Sequence, residues 1–286
     1  MLAGMLLGLC ASAAWALANV VVQRAGRSVG AVPALFWALL AGVAMSAAGS
    51  AALDPHRAPV SPADAGWLAV AGVSGLTAYA CLFYAFEHGR LTLAVPIMSS
   101  WAVLSAALSI ALFHERLSTV QLGGAALVIA GAVIVARRAQ GAEAAPAGVR
   151  RGWLPASVGT AAGFGVLMPA MRRLAPVFGP VGTVGAVYAA ALAVAVPLIL
   201  ALRVRLPRPP RQAWVWILLS GLLETLGSVC ITFGSQRAPL AIVSPLASLA
   251  SAFTVAFAWA VLRDRPPRSV LIGAALVSAG VVVLAL

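Results

Sequence analysis

One carboxylate stands apart from every other charge in this chain. Glu224 lies ten residues from each end of the apolar stretch Trp214–Gly234, whereas the remaining acids fall at the ends of such stretches or between them. A charge at the centre of a bilayer costs about 3 kcal/mol on insertion scales. A carboxylate in that position must face protein or water, or else stay protonated, because lost hydration disfavours the charged form. Two chemistries fit such a group: carrying a coupling proton, or recognising a cation. The plain alternative is a neutral Glu hydrogen-bonded to a neighbouring helix. Helical spacing puts Thr225 and Ser228 on the face of Glu224.

Trp15 and Asn19 are four residues apart and stack on one helical face. Membrane-protein Trp gathers in belts at helix ends, as Trp67, Trp153 and Trp214 do, but Trp15 lies too deep for that. The pair could line a cavity, the ring stacking on a substrate and the amide bonding it. Equally, Asn19 could join two helices as polar glue. Pro96 and Pro245 each free a backbone carbonyl one turn earlier and can kink a helix. Ser99, Ser100 and Trp101 follow the first, and Ser244, Ser248 and Ser251 flank the second. Matched interruptions of this kind point to a binding site, although Ser in a membrane helix more often serves close packing.

Tyr79 is a cavity candidate because a buried hydroxyl needs a partner. Tyr84, Phe164 and Met168 offer soft or amphipathic walls, with core packing the favoured role for Phe164 and Met168. The candidate substrate-binding set is therefore Trp15, Asn19, Tyr79, Ser99, Trp101, Glu224, Ser228 and Ser248, with Glu224 also the proton-coupling candidate. Glu87, His88 and Arg90 read as a wet loop cluster rather than a proton relay or metal site. Glu115 and Asp264, beside Arg residues, read as turn-holding groups. Cys10, Cys81 and Cys230 lack metal-ligand spacing and read as packing residues. No metal and no cofactor is expected.

The elements that hold these residues are membrane helices. Hydrophobic residues make up 62% of the chain and charged residues 9%, with a mean hydropathy of +1.01; a soluble protein is about a quarter charged. Crossing the hydrocarbon takes about 20 apolar residues. Polar breaks delimit ten such spans, near 2–23, 31–53, 66–87, 92–113 and 119–137, then 154–173, 179–202, 212–234, 239–262 and 268–286. The in–out alternation of a membrane barrel is missing, and continuous apolar runs must be helices because lipid offers the backbone no other partner. The first span does not read as a signal peptide: it lacks a basic start, is long, and recurs later in the chain. The net charge of +12 comes from Arg alone, placed singly or in pairs at span ends. There it reaches headgroups. A nucleic-acid binder would gather it on one face, so no nucleic-acid partner is expected.

The chain repeats itself at an offset of 149 residues. Gly124-Ala-Ala-Leu-Val-Ile-Ala-Gly131 returns as Gly273-Ala-Ala-Leu-Val-Ser-Ala-Gly280, Pro96 falls on Pro245, Trp15 on Phe164 and Arg24 on Arg173. Five spans per repeat is an odd number, so the second repeat must enter the membrane upside down. The expected fold is an all-α membrane protein of ten transmembrane helices in two five-helix inverted-topology repeats. Residues 1–138 form the first repeat, 139–152 the linker and 153–286 the second repeat. Gly124 and Gly131, like Gly273 and Gly280, share a helix face that admits another backbone. The fifth and tenth helices then pack on each other or at a homodimer contact, so monomer and homodimer both stay open. Five Arg fall on the side of the termini and fourteen on the other, which by the positive-inside rule places both termini outside the cytoplasm.

These residues resemble the EamA-type members of the drug/metabolite transporter superfamily. The likeness rests on Trp15-Ala16-Leu17-Ala18-Asn19 in the first span, on Pro96 and Pro245 early in the fourth of each repeat, and on the acidic turns Glu115-Arg116-Leu117 and, more weakly, Asp264-Arg265-Pro266. The twice-present Gly-Ala-x-Leu-x-x-x-Gly helix completes it, and the resemblance spans essentially the whole chain. It implies a secondary transporter with a central cavity open to one side at a time, often an exporter of amino acids, metabolites or toxic compounds. It also implies cytoplasmic termini, opposite to the Arg count.

The functional expectation is a gradient-driven exporter of small metabolites in a cell inner (plasma) membrane, bacterial in kind, working by alternating access and proton-coupled through Glu224. A flippase for a lipid-linked group or a facilitative uniporter is the alternative. An integral-membrane enzyme is a distant one, since no convergent set of acids, His or nucleophiles is legible. The expected partners are a small-molecule substrate and the lipid bilayer.

Overall fold

The computed structural model describes residues 1–54, 58–89, 91–114, 118–142, 152–254, 257 and 268–284. Arg90, Glu115, Arg116, Asp264, Arg265 and most of the linker lie outside the described residues. The described chain forms helices α1 Leu2–Val29, α2 Ala31–Leu53, α3 Pro62–His88, α4 Leu91–Met98, α5 Trp101–Phe113 and α6 Thr119–Ala142. After the linker come α7 Trp153–Phe178, α8 Pro180–Ala201, α9 Arg211–Ser235, α10 Leu240–Ser248 and α11 Arg268–Leu284. Among the described residues there is no strand, and seven helices are long and apolar enough to cross a membrane, with α4 and α5 counted as one such span from Leu93.

Local chemistry sets the boundaries. Gly30 (φ 91°, ψ 153°) and Gly179 (φ 76°, ψ 161°) are the single residues separating α1 from α2 and α7 from α8. That backbone region is essentially restricted to glycine, so a helix runs until the glycine reverses it. Hence α1 continues past the end expected near residue 23 and carries Arg24 and Arg27 within it. There Arg27 Nη2 donates to the Gly89 carbonyl at 3.1 Å and Arg24 lies 4.9 Å from the Trp216 ring centre. At the start of α3, the Ser61 hydroxyl accepts from Asp64 N and the Asp64 carboxylate accepts from Ser61 N, with Pro62 in the first turn. This reciprocal capping satisfies two donors that the helix leaves open.

Helix pairs run antiparallel and exchange partners between the two halves. α1 packs along α9, with Gly4 against Ala238, Trp15 against Gly227 and Arg24 against Trp216. The equivalent pair is α7 on α3, with Gly163 against Ala78 and Gly89 against Trp153. α2 lies along α8, and α6 along α11. Small residues make these approaches possible: a Cβ on Gly131 would stand 2.5 Å from the Gly273 carbonyl oxygen, and one on Gly280 would stand 2.6 Å from that of Gly124. The glycine pairs of α6 and α11 thus face each other within one chain. Two carboxylates bind helix N-termini, whose free N–H groups and dipole favour negative charge. Glu87 accepts from Ala31 N and Asp54 from Gly182 N, each at 2.6 Å.

Two details differ from the sequence expectations. The interruptions near Pro96 and Pro245 fall after each proline, at Ser99–Ser100 and at Leu249. Ser99 N still bonds Val95 O, and the next amides, Ser100 N to Ile97 O and Ala102 N to Ser99 O, make tighter i→i−3 bonds. Leu249 N to Leu246 O and Ala252 N to Leu249 O repeat that pattern. Trp153 is not a lipid-facing belt residue: it is 2% exposed, its ring filling the space left by Gly89.

Candidate functional site

A cavity lies where the interrupted helices meet α1, α3, α7 and α9. It holds about 490 Å³ of non-atom space, its open mouth included. Its walls are built from equivalent positions of the two halves: Trp15 and Phe164, Asn19 and Met168, Met98 and Ala247, Ser99 and Ser248, Trp101 and Ala250. Each pair is 149 residues apart, so the cavity straddles the relation between the repeats. Its chemistry is lopsided, because the first member of four of these pairs is the bulkier or more polar.

Trp15 and Trp101 meet edge to face with ring centres 6.1 Å apart. The Trp15 indole reaches this place only because position 227 is glycine, where a Cβ would come within 2.5 Å of Nε1. Nε1 itself is buried and has no hydrogen-bond partner among the described residues. Asn19 Nδ2 donates to Thr254 Oγ1 at 3.0 Å. Asn19 therefore joins helices while still lining the cavity. Ser99 Oγ donates to Val95 O at 3.0 Å and Ser248 Oγ to Pro245 O at 2.9 Å. With their protons engaged, these hydroxyls offer the cavity lone pairs only. Ser251 Oγ, by contrast, is buried without a partner among the described residues.

Glu224 is 7% exposed and lines this cavity. It also borders a smaller compartment of about 230 Å³ of non-atom space, its open side included, with Leu35, Leu39, Tyr79, Phe83, Tyr188 and Gly221. Among the described residues none hydrogen-bonds its carboxylate, and no Arg or His lines either space. Thr225 turns instead toward α2, with its Oγ1 near Gly42.

Of the sequence candidates, Trp15, Asn19, Ser99, Trp101, Glu224 and Ser248 meet around the main cavity. Tyr79 and Ser228 do not line it; their hydroxyls meet each other and Tyr188. Phe164 and Met168, expected as packing, form part of the wall, and Thr160 and Met98 join them. Tyr188 escaped the sequence reading altogether. The signal that would have found it is the one used for Tyr79, a phenol deep in an apolar run that needs a partner. Tyr84 stacks on His88 at 4.3 Å, and Glu87 is engaged at the α2 N-terminus, away from the cavity.

The fold and site together define a multi-pass helical membrane protein with a central, mostly apolar cavity that carries one buried acid. The sequence profile of the EamA-like transporter family matches residues 2–137 and again 152–286, and the chain belongs to that family. This is a transporter family rather than a family of enzymes. A solved crystal structure, described only as that of a protein, superposes with a TM-score of 0.74 at 20% identity, over 99% of this chain and 98% of its own. That likeness is one of fold. No curated protein matches the chain.

Proposed function

We propose that this protein is a secondary active exporter of small metabolites, amino acids or toxic compounds, working by alternating access and driven by an ion gradient, in the first instance of protons, through Glu224. The observation that carries the reading is the buried carboxylate facing a cavity whose walls come from both repeats. A charged group in that position costs several kcal/mol unless something compensates it, and a proton or a cationic ligand does so reversibly. The antiparallel pairing of equivalent helices supports ten spans in two inverted repeats, 1–138 and 153–286. In that arrangement the halves rock about a site near the midplane. Trp15 and Trp101 would hold flat or apolar parts of a substrate, and Asn19, Ser99 and Ser248 would orient its polar parts. The proposed location is a bacterial inner (plasma) membrane. The test is mass spectrometry of cells and medium from strains expressing the parent chain, its Glu224→Gln variant or an empty vector. A compound enriched outside with the parent alone is the expected result. Equal export by parent and variant would remove Glu224 from the mechanism, and no outward movement would turn the reading to uptake, uniport or lipid flipping.

A further inference from the structure

Three hydroxyl oxygens from three helices form a nearly equilateral triangle beside Glu224. Tyr79 Oη (α3) and Tyr188 Oη (α8) lie 3.3 Å apart, Tyr188 Oη and Ser228 Oγ (α9) 3.4 Å, and Tyr79 Oη and Ser228 Oγ 3.5 Å. All three residues are buried. Hydroxyls that bond one another well approach to about 2.7–2.8 Å, so these three contacts are long, weak hydrogen bonds that do not by themselves fix the triangle. The rings hold it instead. Tyr79 meets Tyr188 and Phe164 edge to face at 5.8 and 5.1 Å, and Tyr188 is seated on Gly42, where a Cβ would stand 2.7 Å from its ring. Glu224 sits one helical turn before Ser228 and borders the same small compartment as both phenols. Its carboxylate has no hydrogen-bond partner among the described residues.

That width matches the face of an ion's coordination shell. Oxygens about 2.4 Å from an octahedrally coordinated cation lie about 3.4 Å from their neighbours. Mg²⁺ draws oxygens to about 2.0–2.1 Å, which needs an edge of about 2.9 Å, and it sheds water reluctantly. Ca²⁺ fits by size, but a single carboxylate would leave it with a buried, uncompensated charge. K⁺ is larger and needs a wider face. We propose that Tyr79, Tyr188, Ser228 and Glu224 form a seat for one dehydrated Na⁺, the three hydroxyls giving lone pairs and the carboxylate neutralising the charge. Tyr79 and Ser228 occupy equivalent places in the two halves, so the ion ties α3 to α8 and α9 across them. The meaning of the ion as a coupling ion rests on the transporter reading; its binding does not.

The experiment is thermal melting of the purified full chain in detergent, followed by tryptophan fluorescence, in NaCl, KCl or choline chloride at equal ionic strength. A saturable upward shift in NaCl alone is expected. Tyr188→Phe and Ser228→Ala should raise the half-saturating Na⁺ concentration at least tenfold, and Glu224→Gln should abolish the shift. Identical melting in the three salts, or a Na⁺ shift that survives in Glu224→Gln, overturns the seat. If a variant does not fold, the comparison of salts on the parent chain still decides. A chain that exports on a proton gradient yet melts alike in all salts refutes the seat and keeps the transporter. A Na⁺-stabilised chain that moves no compound does the reverse.

Discussion

Alanine at Gly131 tests the crossing of α6 and α11 with a built-in control. The new Cβ would stand 2.5 Å from Gly273 O and 2.8 Å from Val277 N, both backbone atoms that cannot turn aside. Reaching ordinary contact, which begins near 3.4 Å, requires the two helices to part by about 0.9 Å. A gap of about 0.5–1 Å forfeits a quarter to a half of each dispersion well along the seam, and overpacking of this kind costs about 1–3 kcal/mol. Against it stands a helix-propensity gain of about 1 kcal/mol for Gly→Ala. Gly66 on α3 has nothing within 4 Å of a Cβ, so Gly66→Ala shows the propensity gain alone. The difference between the two variants cancels propensity and should be about 1–3 kcal/mol. Gly280→Ala meets the mirror-image contacts, Gly124 O at 2.6 Å and Val128 N at 2.7 Å, and should match Gly131→Ala within about 0.5 kcal/mol. Reversible unfolding in mixed detergent micelles reads all three. A Gly131→Ala variant as stable as Gly66→Ala would refute the close crossing, and unequal costs at Gly131 and Gly280 would refute its two-fold character.

Two further substitutions probe turn and cavity. Gly30→Ala and Gly179→Ala should each lose about 1–3 kcal/mol for a side chain forced into a glycine-only region. Gly179→Ala should lose more, because its Cβ also collides with the Asp54 carboxyl while that of Gly30 meets only Pro33 Cδ at 3.6 Å; equal melting of the two variants would contradict this. Gly227→Ala should push the Trp15 ring about 0.9 Å, from 2.5 Å to ordinary contact near 3.4 Å, and so narrow the cavity without altering a lining residue. We expect a several-fold rise in the half-saturating concentration of the exported compound with little change in melting, since a side chain yields more readily than backbone. Unchanged transport would show that the indole does not shape the site.

Much of this molecule was legible in the chain itself. Lipid leaves the backbone no partner outside a helix, so apolar runs between polar breaks name the helices. The 149-residue offset recurs in their starting points, from Ala31 and Pro180 to Leu91 and Leu240. A charge is costly at membrane depth, so Glu224 was visible as the outlier, and it does face the cavity. What the chain alone left undecided was which face of each helix looks inward. Tyr79 and Phe164 touch edge to face, yet Phe164 borders the main cavity and Tyr79 the small compartment. Tyr188 joined them unforeseen. Helical period places residues on a stripe, but the rotation of that stripe is set by where a partner helix can approach. That is decided by glycines such as Gly42 and Gly227, which are silent in an apolar sequence and specific only once a ring lies against them.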